Sequence, residues 1–178
     1  MKFGNAIVLC GLVLMAMTSS DRSARADDSK EKAAAVKEVD GKYFDAEGNP
    51  TFKIQDDGTV DWYTFSGYRR YHSDCHVCHG PDAAGSSYAP ALADSLKTMT
   101  YEQFQDVVVN GRKISNSAKQ SVMPSFGTNQ NVMCHLDDLY IYLRARADGA
   151  LERGRPAKKE PKNDAARASE SQCLGVKS

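Results

Sequence analysis

Apolar and polar positions divide the 178-residue chain into segments of different period. Lys2 precedes an apolar run from Ala6 to Met17, shorter than the about 20 residues that span a bilayer, and Ala24-Arg25-Ala26 supplies an A-x-A site. Residues 1–26 therefore read as a secretory signal, with Cys10 discarded inside it. From Asp27 to Lys37 the residues leave no apolar face, which predicts a flexible or weakly helical lead. Gly41-Lys42-Tyr43-Phe44 and Thr51-Phe52-Lys53-Ile54 flank a Gly48-Asn49-Pro50 turn, so residues 27–60 read as an N-terminal extension with a small β-hairpin. A helix begun by Thr64 or Ser66 places Gly67 and Tyr71 one turn apart on one face. Thr100-Tyr101-Glu102-Gln103 has the form of a capping box and opens a helix through Phe104, Val107, Val108 and Val109, ending at Asn110-Gly111. Leu136, Leu139, Tyr140 and Leu143 repeat at helical spacing in a segment from Val132 to Arg144. Residues 149–178, rich in Ala, Lys, Arg, Glu and Pro, form a tail that would be disordered unless pinned.

Between the first two helical patterns stands Cys75-His76-Val77-Cys78-His79, a C-x-x-C-H run. Two thiols on one turn can bond covalently to the two vinyl groups of a haem while the following imidazole ligates the iron. The alternative is a C-x-x-C zinc or redox pair followed by an unrelated histidine. In the haem reading His76 points away from the iron.

With Gly67 and Tyr71 on the helix leading to Cys75, the sequence resembles the class I cytochrome c family. The resemblance implies an all-α fold wrapped around one covalently bound haem c, with the haem domain over residues 61–148. It also implies that the C-terminal helix crosses closely at Gly67, with Leu139 and Tyr142 against the glycine, and that the Phe104 helix walls the pocket. The backbone carbonyl of Pro90 is the implied anchor for the second ring nitrogen of His79, orienting the ligand and raising its basicity. Met123, in Val122-Met123-Pro124-Ser125-Phe126, matches the family's M-P-x-F pattern and is the implied sixth iron ligand; Met133, His135 and His72 are competitors. A thioether at that position raises the reduction potential relative to a second imidazole and suits electron transfer.

Once Cys10 leaves and Cys75 and Cys78 bind haem, Cys134 and Cys173 remain, an even count in an oxidising compartment. A disulfide between them would pin the tail to the start of the last helix; two free thiols are the alternative. Together with Asp61 through His72, Ala89-Pro90-Ala91-Leu92 and Tyr142 through Arg146, these cysteines make the chain similar to the four-cysteine cytochromes of methylotrophic bacteria. That resemblance implies a periplasmic electron carrier, not an enzyme. Its implied donor is a methanol or alcohol dehydrogenase carrying pyrroloquinoline quinone, particularly of the lanthanide type, and its acceptor a downstream cytochrome or oxidase. The other classes open are a permanently bound haem subunit of an oxidoreductase and a ligand-binding haem sensor.

Charge adds little. The formal net charge is zero, which gives no argument for a nucleic-acid partner. By segment the counts are about +2 for 1–26, −4 for 27–60, −1 for 61–148 and +3 for 149–178, so basic charge lies in the tail. A monomer without a transmembrane anchor is expected.

Overall fold

The computed structural model describes residues 34–115 and 120–176. The signal segment and the first part of the predicted lead lie outside the described residues. The architecture is mostly helical, with two small sheets rather than the expected single hairpin. Strands β1 (Lys37–Val39), β2 (Lys42–Phe44) and β3 (Pro50–Thr51) form an antiparallel sheet in that order, with Lys37 opposite Phe44 and Tyr43 opposite Thr51. The end of the lead thus supplies a third strand. Asp40 (φ 54°) and Gly41 (φ 76°) make the two-residue turn that joins it, a pairing that favours right-handed strand twist. Pro50 begins β3 instead of sitting in the turn, which Asp45 closes by accepting from the Asn49 N–H at 2.8 Å.

Helix α1 (Trp62–Asp74) starts ahead of both expected caps. Asp61 is the N-cap: its carboxylate accepts from the Thr64 N–H at 2.9 Å and from the Lys53 N–H at 2.9 Å, fixing helix and extension together. A one-turn helix α2 (His76–His79) follows, then a 3₁₀ turn at Pro81–Ala83, α3 (Leu92–Ser95) and α4 (Tyr101–Asn110), with the capping box at Thr100 and Gln103 as expected. Strands β4 (Arg112–Ser115) and β5 (Gln120–Met123) then pair antiparallel, Arg112 opposite Met123. Met123 therefore lies at the end of a strand, not in a free loop. The last helical segment is divided into α5 (Gln130–Met133) and α6 (Leu136–Ala147) by Cys134 and the non-helical backbone of His135.

The core is the crossing of α1 and α6, where Tyr71, Leu139, Ile141, Tyr142 and Leu143 are almost fully buried. A Cβ at Gly67 would lie 1.8 Å from the Asp138 carbonyl oxygen and 2.7 Å from the Tyr142 Cβ, so only glycine permits the approach. The expected partner Tyr142 is there, whereas the nearest contact is the backbone of Asp138 rather than Leu139.

The tail is ordered over its described residues, 149–176. Its N–H of Glu160 donates to the Val60 carbonyl at 2.9 Å, and Lys159 stacks over both Trp62 and Phe65, Arg155 over Phe65 and Lys162 over Trp62. Its last part forms α7 (Asp164–Leu174), which buries Ala166 against Tyr63 and Ile141. Cys134 and Cys173 are joined by a disulfide. Much of the tail's basic charge is thus spent on aromatic faces, each such contact adding about 0.5–1 kcal/mol at exposed sites. Among the described residues no helix is long and apolar enough to cross a membrane.

Candidate cofactor site

Cys75 ends α1 and begins α2, and the N–H groups of Cys78 and His79 both donate to its carbonyl, at 3.2 and 3.0 Å. This single turn sets two free thiols and an imidazole beside one another. Burial, reinforced by the neighbouring Asp74, pushes the Cys75 thiol up to about 12, so it is neutral in its apolar setting; Cys78 is exposed. His79 is buried, and its Nδ1 lies 2.9 Å from the Pro90 carbonyl oxygen. That contact fixes Nδ1 as the donor and leaves Nε2 as the basic atom for a ligand.

The loop after His79 is built around Tyr71. Its hydroxyl donates to the Gly80 carbonyl at 2.5 Å and accepts from the Ala83 N–H at 3.1 Å, so the residue read as a packing aromatic also shapes the ligand loop. Gly80 (φ 73°) passes so close to Gly85 that a Cβ would meet its carbonyl oxygen at 2.1 Å. The Gly85 N–H in turn donates to the His79 carbonyl at 2.8 Å.

Cys75 and His79 open onto an apolar cleft that is partly open to solvent. Leu92, Leu96 and Met99 line one side. Phe104, Val107 and Val108 of α4 line a second, as expected. Met123, Phe126 and Val132 line a third, and Leu139 and Leu143 of α6 close it. The donor set and the apolar walls fit a haem: two thiols for thioether bonds, an oriented imidazole, a thioether sulfur on another wall and no charged side chain among the described residues that line the cavity.

The competitors for the sixth position are placed elsewhere. His135 has Nδ1 2.8 Å from the Asn131 carbonyl oxygen and Nε2 3.0 Å from an Arg70 nitrogen, so it is a buried neutral imidazole with both nitrogens engaged. Burial holds its pKa below the usual histidine value in accord with this, and the 3.6 Å approach of Glu170 is not an ion pair. His72 has Nδ1 2.9 Å from the Tyr68 carbonyl oxygen, with its ring against Tyr68 and His76. Met133 packs on the core without lining the cavity, and neither does His76. Sequence reasoning missed Met99, a second thioether in the wall; its place directly before the Thr100 cap was the available signal.

Residues 65–143 match the family described as cytochrome c oxidase, cbb3-type, subunit III. In structure the chain is similar to the c-type cytochrome XoxG from Methylobacterium extorquens AM1, with a TM-score of 0.77 and 55% identity, covering 83% of this chain and 91% of that one. The chain belongs to the c-type cytochromes. This cytochrome is also 54% identical over 134 residues to cytochrome c-553I of Paracoccus denitrificans, covering 75% of its own length and 59% of that protein's. It is 38% identical over 96 residues to cytochrome c-555 of Methylococcus capsulatus, covering 53% of this chain and 72% of that relative. The cytochrome thus spans less than two thirds of the length of cytochrome c-553I. A c-type haem is what membership implies.

Proposed function

We propose that this cytochrome is a periplasmic one-electron carrier that binds a single haem through Cys75 and Cys78, ligates its iron with His79 and Met123, and accepts electrons from a quinone-cofactor methanol or alcohol dehydrogenase. The observation that carries the site is the meeting of the anchored His79 and the thioether of Met123 in one apolar cavity. When bound, the haem supplies reversible one-electron chemistry at its iron. The chain's own residues orient His79 through Pro90, exclude water with Leu, Val and Phe side chains, and offer sulfur rather than nitrogen at the sixth position.

Met123 is favoured over Met99 because Met123 is held at the end of β5 opposite Arg112, with its carbonyl packed beside Gly111. The donor assignment rests on the resemblance to methylotroph cytochromes and is supported by 55% identity to XoxG and 54% to cytochrome c-553I. Three exposed apolar side chains lie beside the site. Val77 sits within the attachment turn, Tyr88 on the loop that Ser86 ties to the Cys78 carbonyl, and Val122 next to Met123. They suit a transient contact of less than about 1,200 Å² with a donor and then with a downstream cytochrome or oxidase.

Stopped-flow mixing of the oxidised cytochrome with reduced dehydrogenase tests the reading. Haem reduction at micromolar concentrations is expected, and its absence would remove the donor. The visible spectrum tests the ligands separately: the far-red charge-transfer band of the oxidised protein should be present and should vanish in Met123→Ala.

A further inference from the structure

The Met123 segment is held from two sides. Toward the N-terminus, β5 pairs with β4. Toward the C-terminus, the Phe126 N–H donates to the Val108 carbonyl at 3.0 Å, and the Gly127 N–H and the Ser125 hydroxyl donate to the Val109 carbonyl at 3.1 and 2.5 Å. The chain then passes directly into α5: the Asn129 N–H donates to the Phe126 carbonyl at 2.8 Å, and the Asn129 side chain caps α5 at Val132. Val132, almost fully buried, is pocket wall.

A helix of four residues does not hold itself in place. Besides the burial of Val132, the tail holds α5. The Gln130 side-chain amide donates to the Cys173 carbonyl at 2.6 Å, and the disulfide joins Cys134 to Cys173. Arg70 of α1 spans the junction, donating to the Asn131 side chain at 2.8 Å, meeting His135 Nε2 at 3.0 Å and pairing with Glu170 of α7 at 3.3 Å. The apolar contact of α7, through Ala166, lies against Tyr63 and Ile141, away from the cavity. At α5 its contacts are covalent and polar, which specify position more than they drive burial.

We infer that the C-terminal helix is a brace for the sixth-ligand side of the pocket, with Arg70 as its positioning residue and Cys134–Cys173 as its staple, acting on Met123 through α5. This rests on Met123 as the ligand. Loosening α5 raises the population in which the Met123 segment stands away from the pocket, and an added ligand binds more tightly in proportion to that population.

The test uses the purified holo-cytochrome and imidazole as the competing ligand. Relative to the parent protein, Cys134→Ser/Cys173→Ser and Arg70→Met should each bind imidazole about tenfold more tightly and show a weaker far-red band, with far-UV circular dichroism retained. Arg70→Lys, which keeps the charge but not the planar fork, should recover part of the difference. Arg70→Met leaves the disulfide intact, so the inference stays testable if the double serine variant does not fold. Unchanged imidazole affinity and an unchanged band in both variants would overturn the brace. A parent protein without the band, or Met123→Leu with the same band as the parent, would instead overturn the ligand assignment.

Discussion

Replacing Gly67 with alanine opposes a helix-propensity gain to a steric cost of known geometry. In an exposed helix interior the change would gain about 1 kcal/mol. Here the new Cβ would sit 1.8 Å from the Asp138 carbonyl oxygen. An ordinary carbon–oxygen contact needs about 3.3 Å, so α1 and α6 must part by about 1.5 Å at the crossing. A gap of even 0.5–1 Å forfeits about a quarter to a half of each dispersion contact, and Tyr71, Leu139, Tyr142 and Leu143 all pack across this interface. The separation puts the cost at the top of the usual overpacking range, about 3 kcal/mol. The net loss is then about 2 kcal/mol, or a fall in Tm of ~4–8 °C for a chain of this length. Far-UV circular dichroism of the holo-cytochrome during heating measures it. A Tm equal to or above the parent's would refute the crossing geometry, since propensity alone would then have decided the outcome.

Asp138 is buried between α1 and α6, and burial raises its pKa to about 7 despite a hydrogen bond from Ser66 and the charge of Lys42, which itself pairs with Asp137 at 2.7 Å. Because the folded value lies above the unfolded one of about 3.9, the folded state binds the extra proton. Stability should fall as pH rises from about 4 to 7 and level off above that; Asp138→Asn should flatten this slope in urea titrations, apart from the part left by Asp61, which burial shifts the same way. Removing both Cys134 and Cys173 opens a loop set by a separation of 39 residues, which the chain-entropy relation values at about 4 kcal/mol, measurable as a lower denaturation midpoint with a steeper slope, because the denatured chain without the cross-link exposes more surface. Tyr71→Phe strips the hydroxyl from the Gly80 carbonyl and the Ala83 N–H, and should cost about 1–3 kcal/mol in the same titration.

The local chemistry of the site was legible because its residues are close in sequence or marked by rare pairings. C-x-x-C-H occupies one turn and the Thr100 box needs only Gln103 three positions on, whereas the Pro90 carbonyl, 11 positions beyond His79, came from the family resemblance. The Asp40-Gly41 turn was equally local and was overlooked in favour of Gly48-Asn49-Pro50, so β1 went unread. Other features depended on distant partners. Arg112 through Ser115 carry no clear alternation and become a strand by pairing with β5. Asp61 and Asp138 break the expectation that carboxylates face water, because each has a specific partner inside: Lys53 and Thr64 for one, Ser66 for the other. Counting charge placed basic charge in the tail, but Arg155, Lys159 and Lys162 find Trp62 and Phe65 across about half the chain.

That seam between the chain's two extensions has a consequence for the order in which the molecule is made. Asn163 donates to the Asp40 carbonyl across 123 positions, Lys158 reaches Asp57 across 101, and the Glu160 N–H meets Val60. Synthesis runs from the N-terminus, so residues 40 to 60 emerge long before the partners that finish their hydrogen bonding. Cys75 and Cys78 emerge in that interval as well, while the cover over α1 is missing. The stretch that closes the seam and carries Cys173 follows both, so closing the seam waits on residues 158 to 173.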